Sequence, residues 1–152
     1  MKPILMILAS ILVLSGCESK PPPNQPAIEV WKSPTCSCCS KWVSHLRDNG
    51  FTVSVHNQTE MSALKSTLGV PRELASCHTA LVNGYVIEGH VPAQDIHRLL
   101  AEKLEAAGLA VPGMPIGSPG MEQGDRQDPY TTVLFDTRGQ STAFQTHGET
   151  PR

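Results

Sequence analysis

The sequence predicts a mixed α/β domain, and three observations predict it. Strand-like and helix-like stretches alternate between Ala27 and Leu68, in the order strand, helix, strand, helix. Asn83-Gly84 sits between two apolar runs rich in strand formers, the strongest short-range signal for a hairpin. From Pro92 to Ala107, Ile96, Leu99, Leu100 and Leu104 then share one face of an amphipathic helix.

The chain has 152 residues and a formal net charge of −2, which allows one compact domain with tails and supplies no basic field for nucleic acid. Aromatic residues make up only 5%, against 12 Gly and 13 Pro, so a small core with long turns is expected. The five cysteines and six histidines are the distinctive part of the composition.

Met1-Lys2 followed by the apolar run Pro3 to Leu14 reads as an export signal, too short for a comfortable membrane span. Leu14-Ser15-Gly16-Cys17 closes it and resembles the bacterial lipobox, in which residues 1–16 are removed and Cys17 is lipidated as the new N-terminus. Several acyl chains on one residue anchor a protein stably. Glu18 stands where the inner-membrane retention signal has Asp, so the resemblance to other lipoproteins implies the outer membrane. Residues 17–26 are a polar, Pro-rich spacer. The expected compartment is the periplasm, the folded domain 27–147, and the tail 148–152.

Within the domain, Ala27 to Lys32 reads as a first strand, and Ser33-Pro34-Thr35 as a turn. Trp42, Val43 and Leu46 recur at helical spacing from Ser40 to Asn49, with Gly50 as the stop. Phe51 to Val55 alternates as a second strand, and Glu60 to Leu68 reads as a short helix with Met61, Leu64 and Leu68 on its core face. Thr79 to Val82 and Tyr85 to Glu88 form the hairpin. Pro92 opens the last helix and Gly108 ends it. Gly108 to Gly124 reads as one Gly/Pro-rich loop, and Tyr130 to Asp136 with Ser141 to Thr146 as a C-terminal hairpin.

The chemistry concentrates in Cys36-Ser37-Cys38-Cys39, three thiols in four residues at the start of the first helix. Such crowding suits soft-metal coordination, redox chemistry, or both. The element order resembles the thioredoxin-like layout (a βαβα-ββα core), in which a Cys-x-x-Cys pair opens the first helix. Cys36 and Cys39 have that spacing, with Cys38 as an extra thiol between them. In that resemblance the position of a cis-proline falls on His78, beside Cys77, which would place Cys77-His78 opposite the three helix-start thiols.

Four thiolates at a helix N-terminus are expected to have lowered pKa values and to bind soft cations. Thiolates and thioethers select Cu(I), zinc or iron–sulfur clusters. The adjacency of Cys38 and Cys39 strains a closed tetrahedral zinc knuckle but lets thiolates bind separate ions or bridge them, which admits polynuclear Cu(I). Met114 and Met121 offer thioethers from the Gly/Pro-rich loop, and His90 stands at the mouth of the last helix. His45 is read as a rim residue, and His56, His97 and His147 as surface residues.

Cys36-Ser37-Cys38-Cys39-Ser40-Lys41-Trp42, Ser76-Cys77-His78-Thr79-Ala80, Glu88-Gly89-His90-Val91-Pro92 and the loop motifs around Met114 and Met121 resemble the periplasmic CopG copper-resistance family. The resemblance runs from about Ala27 to Phe144. It implies a thioredoxin-like fold, copper held by Cys36, Cys38, Cys39 and Cys77, and a role in handling excess periplasmic copper with other copper-handling proteins. Copper is thus the expected ligand, as Cu(I), with His78, His90, Met114 and Met121 close by. The alternative is a thiol–disulfide or copper oxidoreductase using Cys36 and Cys39 as its redox pair, and a structural zinc module ranks third.

Overall fold

A computed structural model describes residues 27–148; the expected export signal, the expected lipidation site Cys17, the Pro-rich stretch 17–26 and residues 149–152 lie outside the described residues. The elements run β1 (Ala27–Lys32), α1 (Ser37–Asp48), β2 (Thr52–Asn57), α2 (Met61–Thr67), a single 3-10 turn (Arg72–Leu74), β3 (His78–Val82), β4 (Tyr85–Glu88), α3 (Ala93–Glu102), β5 (Gly108–Ala110), β6 (Tyr130–Phe135) and β7 (Ser141–His147). All seven strands join one sheet in the order β2-β1-β3-β4-β5-β6-β7. The pairs β1/β2 and β4/β5 are parallel and the other neighbours antiparallel. The result is a mixed α/β fold with three α-helices, none of which is long and apolar enough to cross a membrane among the described residues.

Local chemistry explains where α1 starts and stops. Cys36 is its N-cap, in extended conformation, and its sulfur accepts the Cys39 N–H at 3.3 Å. At the other end Gly50 takes φ 88°, its N–H reaching Arg47 O and that of Phe51 reaching Leu46 O. This is a Schellman stop, and both hydrophobic partners, Leu46 and Phe51, are buried. The β3–β4 turn likewise follows the sequence, with Asn83 (φ 47°) and Gly84 (φ 83°) in the left-handed pair that a tight hairpin needs.

Two expectations change. Helix α3 ends at Glu102, with Lys103 left-handed, not at Gly108. Gly108 opens β5, a buried strand inside what reads as a loop, paired with Val86 on one side and Phe135 on the other. A Cβ on Gly108 would overlap the Val86 carbonyl oxygen, so only glycine lets the backbones approach there. Strand β5 is what joins the C-terminal hairpin to the main sheet. Helix α2 turns its expected face inward, with one addition. Met61, Leu64 and Leu68 are half-buried, and its buried residue is Lys65, drawn inward by the fully buried Glu88 of β4.

Alternation along the strands sends Ile87 and Leu109 to one side of the sheet, and Val86 and Ala110 to the other. The first side packs Trp42, Val43 and Leu46 of α1 and Ile96 and Leu99 of α3 on Ile28, Val30, Ala80 and Val82. The second packs Val70 and Leu74 on Val86, Ala110 and Phe135. Helix α1 is therefore clamped on the sheet, and its first turn is a fixed platform.

Candidate metal centre

Topology brings the site together. β1 runs into the turn that carries Cys36, and its last residue, Lys32, pairs with His78, the first residue of antiparallel β3. The hairpin then returns along β4, where the Gly89 N–H reaches His78 O at 3.0 Å and sets His90 beside it. Gly120 of the long loop packs against the start of α1. A Cβ there would lie 2.8 Å from Cys38 O and 2.9 Å from Trp42 N, so the loop closes over the site only because this residue has none.

Two groups of ligand atoms result, each with all members within 4.8 Å of one another: Cys36, Cys38, Cys39 and Cys77, and then Cys77, His78 and His90. Cys77 belongs to both. Its Sγ lies 3.3 Å from His78 Nδ1 and 3.2 Å from His90 Nε2. Cys36 and Cys39 are joined in a disulfide, Cys38 and Cys77 are free, and Cys38 Sγ sits 3.4 Å from Cys36 Sγ. Two electrons must therefore reduce that bond before all four sulfurs can act as thiolate ligands.

His90 is arranged as a metal-binding histidine usually is. His90 Nδ1 donates to the Pro119 carbonyl at 2.8 Å, which fixes the proton there and leaves Nε2 facing Cys77. His78 is fully buried against Trp42, with ring centroids 4.3 Å apart, and its Nε2 is the one buried side-chain polar atom without a partner among the described residues. Burial pushes the pKa of both imidazoles down, that of His78 well down with neighbouring His90 adding to it. Both rings are therefore neutral at pH 7 and keep a lone pair for a cation.

The expectation of lowered thiol pKa values fails at Cys77. Burial, and then the Cys38 thiol beside it, push Cys77 up to about 11. Cys77 precedes a strand and is not part of α1; although its Sγ lies within 4.8 Å of the sulfurs at the α1 start, desolvation outweighs any help from the helix end. A bound cation would reverse this by taking the proton's place. In metal-free protein with the Cys36–Cys39 disulfide intact, alkylation of the Cys77 peptide should be slow at pH 7 and rise about tenfold per pH unit towards pH 10, since only the thiolate reacts. Mass-spectrometric peptide mapping reads this directly, and a rate already flat above pH 8 would contradict it.

The remaining candidates separate. Met114 is 53% exposed and Met121 half-buried, each one residue beyond a loop contact with the site: Gly113 O accepts the Ser76 hydroxyl, and Gly120 touches α1. His45 is half-buried and its Nε2 accepts the Ala93 N–H at 3.1 Å, so it caps α3. His97 stacks on Phe51 and His56 on Trp31, both exposed. His147 is not a free surface residue, because its Nε2 contacts the buried Asp95 at 2.8 Å and Thr132 at 3.2 Å. Sequence reading missed Lys65, Ser76, Glu88 and Pro119. Only the Glu88-Gly89-His90 run, with an acid among strand residues, carried a signal for one of them.

An α/β sheet that gathers four cysteine sulfurs and two neutral imidazoles at one edge of a helix start defines a protein able to hold a soft metal ion. The chain is similar over 82% of its length, and over 100% of theirs, to two solved structures described as "Copper resistance protein copG", Form 2 and Form 1. Each is 48% identical, with TM-scores of 0.79 and 0.78. Residues 74–121, which hold Cys77, His78, His90, Met114 and Met121, match the family described as "Protein of unknown function, DUF411". No curated protein matches the chain. The chain belongs to the CopG copper-resistance protein family.

Proposed function

We propose that this protein binds Cu(I) in the periplasm as part of copper resistance, on a thioredoxin-like scaffold. Cys36, Cys38, Cys39 and Cys77 are the principal ligands, with His78 and His90 completing the site and Met114 and Met121 offering thioethers from the loop. The observation that carries this reading is Cys77, whose one sulfur lies within reach of both the thiol group and the histidine pair. A sulfur so placed can bridge ions, and bridging thiolates with neutral imidazoles are a donor set suited to Cu(I). The copper-resistance name of the 48% identical structures supports the same metal.

Anaerobic titration of reduced protein with Cu(I) against a competing chelator tests it. Tight binding should appear, and should vanish when all four cysteines are changed to serine. Unchanged affinity in that variant would sink the reading. Protein left with its Cys36–Cys39 disulfide intact should bind more weakly than reduced protein, because two of the sulfurs are then not thiolates.

The same disulfide favours a second reading, a thiol–disulfide or copper oxidoreductase using Cys36 and Cys39. Reduction of insulin by the reduced, metal-free protein would support it, and its absence would leave binding alone. The lipid anchor at Cys17 is also part of the proposal, motivated by Leu14-Ser15-Gly16-Cys17. Palmitate labelling lost in Cys17→Ala would support it, and labelling that persists would contradict it.

A further inference from the structure

Glu88 lies two residues ahead of His90, is wholly buried, and belongs to neither ligand group. Its Oε1 accepts from Lys65 Nζ at 2.5 Å and from the backbone N–H of Ser76 at 2.6 Å, and its Oε2 accepts from the Thr79 hydroxyl at 2.7 Å. Lys65 Nζ also donates to Thr79 Oγ1 at 2.8 Å. A buried ion pair is weak evidence for stability, because desolvation offsets much of the attraction and an apolar pair often folds as well. What an apolar pair could not do is accept the Ser76 N–H.

Ser76 immediately precedes Cys77 and is held from three sides. Its N–H is taken by Glu88 and its hydroxyl donates to Gly113 O at 2.6 Å. Its Cβ lies against Gly89, where an added Cβ would stand 2.8 Å from it and 2.6 Å from Val111 O. Glu88, Gly89 and His90 thus serve the site in succession: one grips the Ser76 backbone, one leaves room for it, and one faces Cys77.

We infer that Glu88 is the positioning residue of the metal centre: braced by Lys65 and Thr79, it holds the Ser76 N–H and so sets Cys77 Sγ between the helix-start sulfurs and His90. Through Ser76 and Gly113 the same contact also locates the loop that carries Met114. This rests on the reading of Cys77 as a copper ligand, which Cys77→Ser tests separately.

Two double variants of the full chain make the test. Lys65→Met with Glu88→Leu removes both charges together and leaves the Ser76 N–H without its acceptor. Lys65→Met with Glu88→Gln also removes both charges but keeps a carbonyl that can accept it. Cu(I) affinity of the reduced proteins should fall about 10–100-fold in the Leu variant, as loss of an outer-shell partner does, and return towards the native value in the Gln variant. Amide exchange of Ser76 should be slow in the native and Gln proteins and fast in the Leu variant. Native affinity in a folded Leu variant, or fast Ser76 exchange in the unmodified protein, overturns the inference. If the Leu variant does not fold, Ser76 exchange in the native and Gln proteins decides it. If Cys77→Ser leaves affinity unchanged, the copper reading of Cys77 fails by itself, and Ser76 exchange still judges the Glu88 contact.

Discussion

Changing Cys77 to serine should weaken Cu(I) binding more than any other single cysteine change. Each of Cys36, Cys38 and Cys39 belongs to the thiol group alone, whereas Cys77 Sγ also stands 3.3 Å from His78 Nδ1 and 3.2 Å from His90 Nε2. Its removal takes a donor from both groups. The loss should exceed the roughly 10–100-fold typical of an outer-shell partner, because a ligand itself is gone. Chelator competition on the four single serine variants checks the order. A Cys38→Ser effect larger than that of Cys77→Ser would place the centre of the site at the helix start instead. The reduced state is essential to the comparison, since the Cys36–Cys39 disulfide would mask the contributions of both its members.

The second large effect concerns stability. Trp42→Ala should destabilise the fold by about 3–5 kcal/mol, the cost of emptying a large aromatic site in a packed core. Trp42 is fully buried between α1 and the sheet, its Nε1 donates to Val91 O at 2.8 Å, and its ring lies on His78. Trp42→Phe should cost less, because it keeps most of the packing and loses the hydrogen bond. Urea unfolding at pH 7 measures both, and a loss below about 1 kcal/mol for alanine would mean the site collapses around the gap. The two predictions are linked through His78. An imidazole held between Trp42 and His90 loses one wall when the indole is removed, so the alanine variant should also bind metal less tightly.

Much of the scaffold was legible because its signals are local. The β1 strand, the hairpin at Asn83-Gly84 and the Gly50 stop depend on residues within a few positions of each other, and each appears where turn chemistry and periodicity place it. The elements that were not legible depend on distant neighbours. β5 has three residues and a glycine at its start, and it is a strand only because β4 and β6 flank it. The apolar spacing of α2 pointed the Met61, Leu64 and Leu68 face inward, but nothing local shows that Lys65, on that same face, is its most buried residue, because its partner is a carboxylate on β4. His45 and His147 were unreadable for the same reason, since the groups they bond, Ala93 N–H and Asp95, are far away in sequence.

The stretch Cys36-Ser37-Cys38-Cys39 shows the division most clearly. By itself the sequence determined that three sulfurs stand at a helix start with a redox spacing inside them, and that Cys77-His78 and His90 are the other soft or borderline donors. Tertiary structure decided that the candidate pair Cys36 and Cys39 is joined, that Cys77 is shared between sulfur and imidazole neighbours, and that burial pushes its thiol pKa up to about 11. The physical reason is range. Helix capping and turn geometry act across a few bonds along the chain, whereas desolvation and shared coordination depend on which segments the sheet brings side by side.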